Sequence, residues 1–485
     1  MGTVHQLPVK NNGKITPEQE LARAVRRAVD AKVGQEASFK EREAATLSVT
    51  DEAARLCMEE DLQALSESYG EEVEVDGRIF ERHEPGDVTY HSLCGGLDVE
   101  RWTYREVGVH NGPTIVPLEL EAGLIMRATP ALAYRLALGY AKGHMRSCEE
   151  DMQADHRHPP SRSTLERIAK AIGSEAKASA GRVEVIVRRG EKVPDEAVAV
   201  SVGLDRTSVP MEEDVPPCEE PSGRRKKRKK PYVRQEPQRV NVNYRMAYVG
   251  TICFHDVHEE PLATIRYAIG ADECPEHIVS RLMADLRNAL RQVPNLAVGI
   301  IQDGAPELWN LLRNAIATEP LVFEWHEAID RSHVNERLGK ILRFTEADAT
   351  KRHQQLTRWN NSLDCNDNAI YRIRQWVRDR YNEAASSEDT ELVEQLDPHL
   401  TYLENNASLM RYASLRNVGL PVGSGATEGA CKSVIEMRTN GSSQRWRPEG
   451  LGAVLTLRAI HLSERLPRFW TSFSRQYKAE VCKVA

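Results

Sequence analysis

Residues 197–205 read AVAVSVGLD, an almost wholly apolar run that ends in an aspartate. Residues 296–303 read LAVGIIQD and repeat the same design farther along the chain. Short apolar runs of this kind are typical of strands that are buried on both faces of a sheet. The two segments therefore predict central strands of an α/β fold, with Asp205 and Asp303 at the strand ends.

The segments around these strands predict the rest of the sheet and its helices. Strand patterns occur at residues 243–256, 262–270 and 321–325, and amphipathic helical patterns occur at 275–293, 305–316 and 327–342. The resulting order β, β, β, α, β, α, β, α is that of a ribonuclease H-like core. The first and fourth strands of that core are neighbours, so we expect Asp205 and Asp303 to face one site.

Other segments predict further modules. Thr16 and Pro17 begin a helical pattern as an N-cap and a first-turn proline, and strand alternation surrounds a turn at Gly95 and Gly96. We predict a helical N-terminal arm or dimerisation element at 1–70, a small β module at 71–125, a helix-turn-helix DNA-binding domain at 126–180, a ribonuclease H-like catalytic domain at 181–343 and 417–485, and a helical insertion at 344–416.

Two local patterns complete the predicted structure. Residues 183–189 read VEVIVRR, which indicates a strand because β-branched residues dominate it. The stretch after Asp205 is polar, contains several prolines and has no clear period, so we expect a mobile loop there.

The composition limits the classes of function. The chain has 485 residues, of which 40% are hydrophobic and 28% charged, as in an ordinary soluble globular protein. We expect neither a membrane span nor a secretory signal, because no apolar run is long enough for either. Its nine cysteines form no CxxC pair, so we expect reduced thiols and no structural zinc. The net charge of −7 argues against simple coating of nucleic acid, which needs clustered cations.

Three carboxylates are candidates for metal-dependent phosphodiester chemistry. Two divalent ions in such sites are held by acids on rigid elements, and Mg²⁺ favours hard oxygen ligands. Asp205 and Asp303 fit as a pair, although either residue alone is also a common start of a turn. Glu428 stands in 422–434 (VGSGATEGACKSV), where it can bind metal or simply favour the start of a helix.

Several neighbouring residues support a site for DNA chemistry. Lys432 and Arg438 follow Glu428 at helical spacing, and free amides at that helix start are able to bind phosphate. Asp330 and His333 form a DxxH pair one helical turn apart, which is an accessory pair or an ordinary surface contact.

Two segments suggest contact with DNA. Residues 224–230 read RRKKRKK, which fits a phosphate-binding run, a solvated loop or a nuclear-type targeting signal. Ser161 begins a helix whose polar side faces a groove, or belongs to a three-helix module without DNA function. The candidate DNA-binding residues are Arg162, Ser163, Lys170, Arg224, Arg225, Lys226, Lys227, Arg228, Lys229, Lys230, Lys432, Arg438 and Trp446.

Four blocks together resemble one known family. The blocks are 202–211 (VGLDRTSVPM), 301–309 (IQDGAPELW), 328–338 (AIDRSHVNERL) and 421–446 (PVGSGATEGACKSVIEMRTNGSSQRW). In this order they look like the bacterial insertion-sequence DDE transposases of the ISKra type, which are related to Mutator-like transposases. The resemblance covers residues 85–475. Relatives commonly carry a CxxC element near the β module, whereas residues 104–114 here read YREVGVHNGPT.

The resemblance implies a transposase that binds the inverted repeats at transposon ends and cuts and joins double-stranded DNA. It implies Asp205, Asp303 and Glu428 as ligands of two Mg²⁺ ions, with Mn²⁺ as a substitute, and Asp330 and His333 as accessory residues. It further implies a homodimer or higher oligomer on the transposon ends and target DNA, in the cytoplasm of a bacterium at the nucleoid. A catalytically silent DNA-binding regulator and a structure-selective nuclease of the same fold are the alternatives.

Overall fold

The computed structural model describes residues 16–214, 240–321, 323–441 and 444–484. The chain forms two compact units, Met1–Ile172 with Phe473–Ala485, and Gly173–Ser472. The basic run at 224–230 lies outside the described residues. None of the described helices combines the length and the apolar content that crossing a bilayer requires.

The first part of the chain is helical, then β, then helical again. Its elements are α1 (Pro17–Val33), α2 (Phe39–Glu67), β1 (Glu72–Val75), β2 (Arg78–Ser92), β3 (Gly95–Glu106), β4 (Thr114–Ile115), α3 (Pro117–Ala122), α4 (Pro130–Lys142), α5 (Met145–Ala154) and α6 (Arg162–Arg189).

The second part alternates strands and helices before a helical stretch. Its elements are β5 (Ala199–Asp214), β6 (Val240–His255), β7 (Pro261–Ile269), α7 (Glu276–Gln292), β8 (Ala297–Gln302), α8 (Pro306–Ala317), β9 (Trp325–Ile329), α9 (Arg331–Thr345), α10 (Ala349–Cys365), α11 (Ala369–Ser386), α12 (Thr390–Asn406), α13 (Tyr412–Asn417), α14 (Gly425–Ala430), α15 (Met437–Thr439), α16 (Pro448–Leu462), α17 (Leu466–Ser474) and β10 (Val481–Lys483).

The first unit contains the predicted helical arm and an antiparallel sheet of order β10-β1-β2-β3-β4. Thr16 caps α1 with reciprocal hydrogen bonds to Gln19, as the sequence predicted for this helix start. The hairpin between β2 and β3 turns slightly earlier than predicted, because Gly95 already pairs with Ser92. The prediction grouped residues 417–485 together, whereas β10 pairs with β1 of the first unit.

The predicted strand at 183–189 is wrong, because these residues form the last two turns of α6. Ala176, Ala180, Val183 and Val187 are buried at spacings of three and four, which is a helical stripe. Burial of this stripe overrides the strand propensity of the β-branched residues. The helix therefore crosses the predicted boundary between the helix-turn-helix module at 126–180 and the catalytic domain that begins at 181.

The second unit contains a mixed sheet of order β7-β6-β5-β8-β9. Strand β6 pairs antiparallel with both β5 and β7, whereas β8 pairs parallel with both β5 and β9. The order of elements from β5 to α9 is the order predicted from the sequence. Helices α10 to α13 follow as the predicted helical stretch before Glu428.

Strand β5 is longer than predicted. The sequence placed Asp205 at a strand end and a loop after it, but β5 continues through Asp214 and pairs with β6 along its whole length. Val209 and Met211 are buried on alternate positions of this extension. Pro210 obscured that alternation, and the strand tolerates the proline because it needs no N–H there.

Glycines in the central strands let helices pack closely on the sheet. A Cβ atom at Gly203 would lie 2.0 Å from the hydroxyl oxygen of Thr427 in α14, and one at Gly299 would lie 2.8 Å from Leu420. Thr251 on β6 shares a 2.7 Å hydrogen bond with the same Thr427 hydroxyl. The start of α14 is therefore seated directly on β5 and β6.

Candidate active site

Parallel pairing places Asp205 and Asp303 at the same level of the sheet. The register matches Val202 of β5 with Ile300 of β8, and each aspartate lies three residues beyond its member of that pair. Both aspartates therefore sit where β8 ends, on neighbouring strands. This geometry confirms the prediction that the two strands are neighbours in the sheet.

Helix α14 brings Glu428 to the same face of the sheet. Alternate residues of a strand project to the same side, so Asp205 points to the side on which Gly203 meets Thr427. Glu428 follows Thr427 directly in the helix. The sequence predicted that this acid would join the two aspartates, and the three carboxylates do line one cavity.

A π-helical segment continues α14 along β5. Residues Cys431–Glu436 form this segment, in which hydrogen bonds span one residue more than in an α-helix. The Cys431 thiol donates to Asp205, and the Thr207 hydroxyl donates to Glu436 over 3.3 Å. Cys431 and Glu436, five residues apart in the helix, thus contact Asp205 and Thr207, which are two residues apart in the strand. No sequence pattern predicts this widened turn, although such turns are frequent at functional sites.

Burial and like charges shape the electrostatics of the site. Burial raises the pKa of Asp205, and the nearby carboxylates of Asp303 and Glu428 raise it further. The Arg206 amide and the Cys431 thiol oppose this shift by donating hydrogen bonds to Asp205. Burial, with Asp205 nearby, also raises the pKa of the Cys431 thiol, which therefore stays a protonated donor.

The acid cavity has a volume of about 210 Å³. Its polar lining comes from Asp205, Asp303, Glu428, His333, Ser424 and Thr427. Within the described part of the chain, no Lys or Arg forms an ion pair with any of its three carboxylates. Glu428 instead has His333 as a neighbour, with Nε2 3.5 Å from Oε1. The cavity therefore concentrates negative charge that a cation would neutralise.

Asp330 is a buried clamp and not a member of the cavity lining. Its side chain is the N-cap of α9 and accepts hydrogen bonds of 2.5 Å from both the amide and the hydroxyl of Ser332. Its other oxygen accepts from the amide and the hydroxyl of Ser424, immediately before α14. The sequence analysis predicted that amides at this helix start are able to bind phosphate. The Ser424 amide instead donates to Asp330. Asp330 joins the start of α9 to the start of the helix that carries Glu428.

His333 differs from Asp330 in both environment and contacts. The imidazole side chain is 41% exposed and lines the acid cavity, whereas Asp330 is 2% exposed. In the predicted DxxH pair, Asp330 thus positions other residues, and His333 lies at the cavity mouth. The two side chains do not converge on one ligand position.

The helical insertion contributes an aromatic residue that the sequence analysis missed. Tyr402 of α12 packs against Gly304, where a Cβ atom would lie 3.3 Å from the tyrosine ring. Burial raises the pKa of Tyr402, and the charges of Asp303 and Asp330 contribute in the same direction. An aromatic residue in a polar insertion has no spacing relative to the acid motifs, so the sequence could not place it.

Arg438 and Lys432, which follow Glu428 at helical spacing, lie in different environments. Lys432 is exposed, whereas Arg438 is 6% exposed and stacks on the Trp446 ring at 4.9 Å. Trp446 forms an isolated bridge with Met211 of β5. The π-helical turn between the two cations changes their relative direction. Arg438 therefore fastens the segment around Trp446 to the sheet, and Lys432 remains available to an external phosphate.

The predicted DNA-reading helix lies at the start of α6. Leu165, Ile168 and Ala169 are fully buried, as predicted for its inward side. Lys170 is exposed, but Arg162 forms a 2.7 Å ion pair with Glu149 of α5. The Ser163 hydroxyl lies 3.1 Å from that of Ser161. Lys170 is thus a freer candidate for phosphate contact than Arg162.

The donor set of the cavity fits the needs of a divalent ion in residue type. Three carboxylates without a Lys or Arg partner in the described residues supply hard oxygen donors, which suit Mg²⁺. In the described residues, no group of three or more His, Cys, Asp or Glu side chains is already placed around one metal position. The residue types fit the ion, and binding would require the carboxylates to converge.

The sequence matches no protein-family model, and no functionally characterised protein matches it in a sequence comparison. Membership of a family is therefore still a prediction from the four motif blocks. The geometry of Asp205, Asp303 and Glu428 is independent of that resemblance.

Proposed function

We propose that the protein is a DDE transposase with a ribonuclease H-like catalytic core. The observation that carries this proposal is the shared level of Asp205 and Asp303 on neighbouring parallel strands, with Glu428 lining the same cavity. The strand order β7-β6-β5-β8-β9, with three antiparallel strands followed by two parallel ones, supports the same core. The resemblance of the four sequence blocks gives the transposase assignment within it.

Asp205, Asp303 and Glu428 would hold two Mg²⁺ ions. When bound, these ions would stabilise charge on the phosphate and make water or a 3′-hydroxyl a better nucleophile. The three carboxylates that line the cavity, with no Lys or Arg ion pair among the described residues, support a role in cation binding. Most of the rate would come from positioning and charge neutralisation, as in other phosphoryl-transfer sites.

The chain's own residues organise this chemistry. Asp330 fixes Ser424 and so sets the position of Glu428 relative to the sheet. Cys431 donates to Asp205 and limits the directions in which that carboxylate can turn. His333 Nε2 lies at the cavity mouth, 3.5 Å from Oε1 of Glu428, where it can orient that carboxylate.

Under this proposal, the partner of the protein is double-stranded DNA, both the transposon ends and the target. We further propose that the protein acts as a homodimer or higher oligomer on that DNA, in the bacterial cytoplasm. The start of α6, with Lys170 exposed, is the proposed reading element for the ends.

The proposal is tested with the full chain and a labelled duplex made from the DNA that flanks its gene, where imperfect inverted repeats are expected. We expect Mg²⁺-dependent cutting at the repeat end and joining of the released 3′-hydroxyl to a plasmid target. Asp303→Asn should abolish both steps and leave end binding nearly intact, because the amide keeps the shape but loses the charge. Asp195→Asn, an exposed carboxylate ahead of the same sheet, is the matched control and should cut normally.

The other outcomes identify the alternatives. Cutting without joining would replace the transposase by a nuclease of the same fold. Binding without any cutting would indicate a silent DNA-binding regulator. Wild-type cutting by the Asp303→Asn variant would overturn the assignment of the acid site.

A further inference from the structure

One face of α9 has a row of basic side chains that begins at the acid cavity and leads away from it. His333, Arg337 and Lys340 are spaced by four and three residues, so their side chains follow one stripe of the helix. His333 lines the cavity, and the other two lie successively farther along the helix. The stripe therefore begins at the site of the three carboxylates and leads outward.

Arg337 is held in place by an aromatic ring beside the acid site. Its guanidinium lies 3.7 Å from the centroid of the Tyr402 ring. The same ring covers Gly304, the residue after Asp303. The Tyr402 side chain also forms a hydrogen bond with Arg337, so the ring and its hydroxyl together hold the guanidinium, whose remaining N–H groups can contact another partner.

Lys340 and then Phe344 continue the stripe of α9 at spacings of three and four residues. Burial lowers the pKa of His399 of α12, and the charges of Arg337 and Lys340 lower it further. His399 also packs against Phe344 of α9, with ring centroids 6.0 Å apart. Cations and aromatic rings thus alternate where α9 faces α12. We call Arg337, Lys340, Phe344, His399 and Tyr402 the α9–α12 track.

The two cations of the track lack carboxylate partners within the part of the chain that the structure describes. Other arginines of this unit are neutralised, for example Arg313 by Glu327 and Arg287 by Glu319. A cation without an internal partner can contact an external anion without breaking an ion pair, whereas a paired one must first break its own. Cations interleaved with aromatic rings are the surface that nucleic-acid strands prefer.

We propose that the α9–α12 track binds the DNA strand that continues out of the acid cavity, with Arg337 and Lys340 contacting successive phosphates. This inference rests on the proposed function, since it assumes DNA in the cavity. The helical insertion then serves the catalytic site directly: it supplies Tyr402 and His399, which hold and shape the phosphate-binding side of α9.

The test measures salt dependence of end binding by the full chain, with fluorescence anisotropy on the labelled flanking duplex. Each lost phosphate contact lowers the slope of log affinity against log salt by about 0.9 on duplex DNA. The variant Arg337→Gln/Lys340→Gln should therefore lower the slope by about 1.8. Arg337→Lys should keep the slope, because the charge remains. Arg291→Gln is the matched control. Arg291 is an exposed arginine in the last turn of α7, which precedes the first residue of β8, whereas Asp303 follows the last one.

The outcomes separate this inference from the proposed function. If wild-type and Arg291→Gln proteins bind and cut DNA while the double variant keeps the full slope, the track is refuted and the transposase proposal stands. If the wild-type chain does not bind the duplex at all, both are refuted. Thermal unfolding of each variant checks its fold, which should be retained: both cations are at least partly exposed, and loss of the Arg337–Tyr402 contact costs only about 0.5–1 kcal/mol.

Discussion

Ser424 donates both its backbone amide and its hydroxyl to one carboxylate oxygen of Asp330, although the two residues are 94 positions apart in the chain. The same hydroxyl lies 3.4 Å from Oε1 of Glu428. The contact ties the loop before α14 to the start of α9, which also carries His333. The position of the third acid thus depends on a residue that is not itself in the cavity lining.

Replacing Asp330 by Asn should destabilise the protein by about 1–3 kcal/mol, because a buried amide nitrogen would face donors that it cannot satisfy. Chemical unfolding measures this change. Asp348→Asn is the matched control: Asp348 caps α10 at an exposed position, where Asn caps as well as Asp does. Equal effects of the two substitutions would show that the Asp330 clamp contributes nothing beyond an ordinary cap.

The stabilisation by Asp330 should depend on pH. Burial alone would raise the pKa of this carboxyl, but hydrogen bonds from Ser332 and Ser424 outweigh burial and hold the pKa below the ordinary value of 3.8. A carboxyl with a lowered pKa in the folded state stabilises above its unfolded pKa and loses that effect as pH falls through the folded value. The difference in unfolding free energy between wild type and Asp330→Asn should therefore be constant at neutral pH and shrink below about pH 4. A difference that grows on acidification would contradict this.

Replacing Gly203 by Ala should separate α14 from the sheet. The added Cβ would meet the Thr427 hydroxyl at 2.0 Å, and overpacking of this kind costs about 1–3 kcal/mol. We expect a lower melting temperature and reduced DNA cutting, because Glu428 follows Thr427. Removing the hydroxyl in Gly203→Ala/Thr427→Ala should restore part of both.

Gly339→Ala is the control for this substitution. A Cβ at Gly339 meets no described atom within 4 Å, and alanine in a helix interior is favoured over glycine by roughly 1 kcal/mol. This variant should be as stable as wild type or more so. If Gly203→Ala behaves in the same way, α14 is not seated on β5 as closely as the contact implies.

Sequence periodicity was sufficient to find the strands that position the acids. The apolar runs before Asp205 and Asp303 are buried on both faces, so each strand was visible as a continuous segment. The same rule failed at 183–189, where β-branched residues lie on a buried helical stripe. It failed again after Asp205, where Pro210 interrupts an alternation that pairing with β6 supports.

Roles that depend on distant partners could not be predicted. Asp330 accepts hydrogen bonds from Ser424, 94 positions away, and Arg438 stacks on Trp446 beyond the π-helical turn. Tyr402 reaches Gly304 from an insertion with no fixed spacing to the acids. Each of these contacts joins segments far apart in sequence, which local patterns do not encode.

Arg438→Gln should affect stability and not phosphate binding. Arg438 is buried and stacks on Trp446, and a buried cation–π contact contributes about 2 kcal/mol or more. The variant should therefore unfold more easily, while the salt dependence of its end binding stays that of wild type. Lys432→Gln is the matched comparison from the exposed side of the same helical segment, and it should show the reverse: unchanged stability, with the slope lowered by about 0.9 if Lys432 contacts a phosphate. Measuring unfolding and salt dependence on both proteins decides the matter, since a lowered slope in Arg438→Gln would return that residue to the DNA-binding surface.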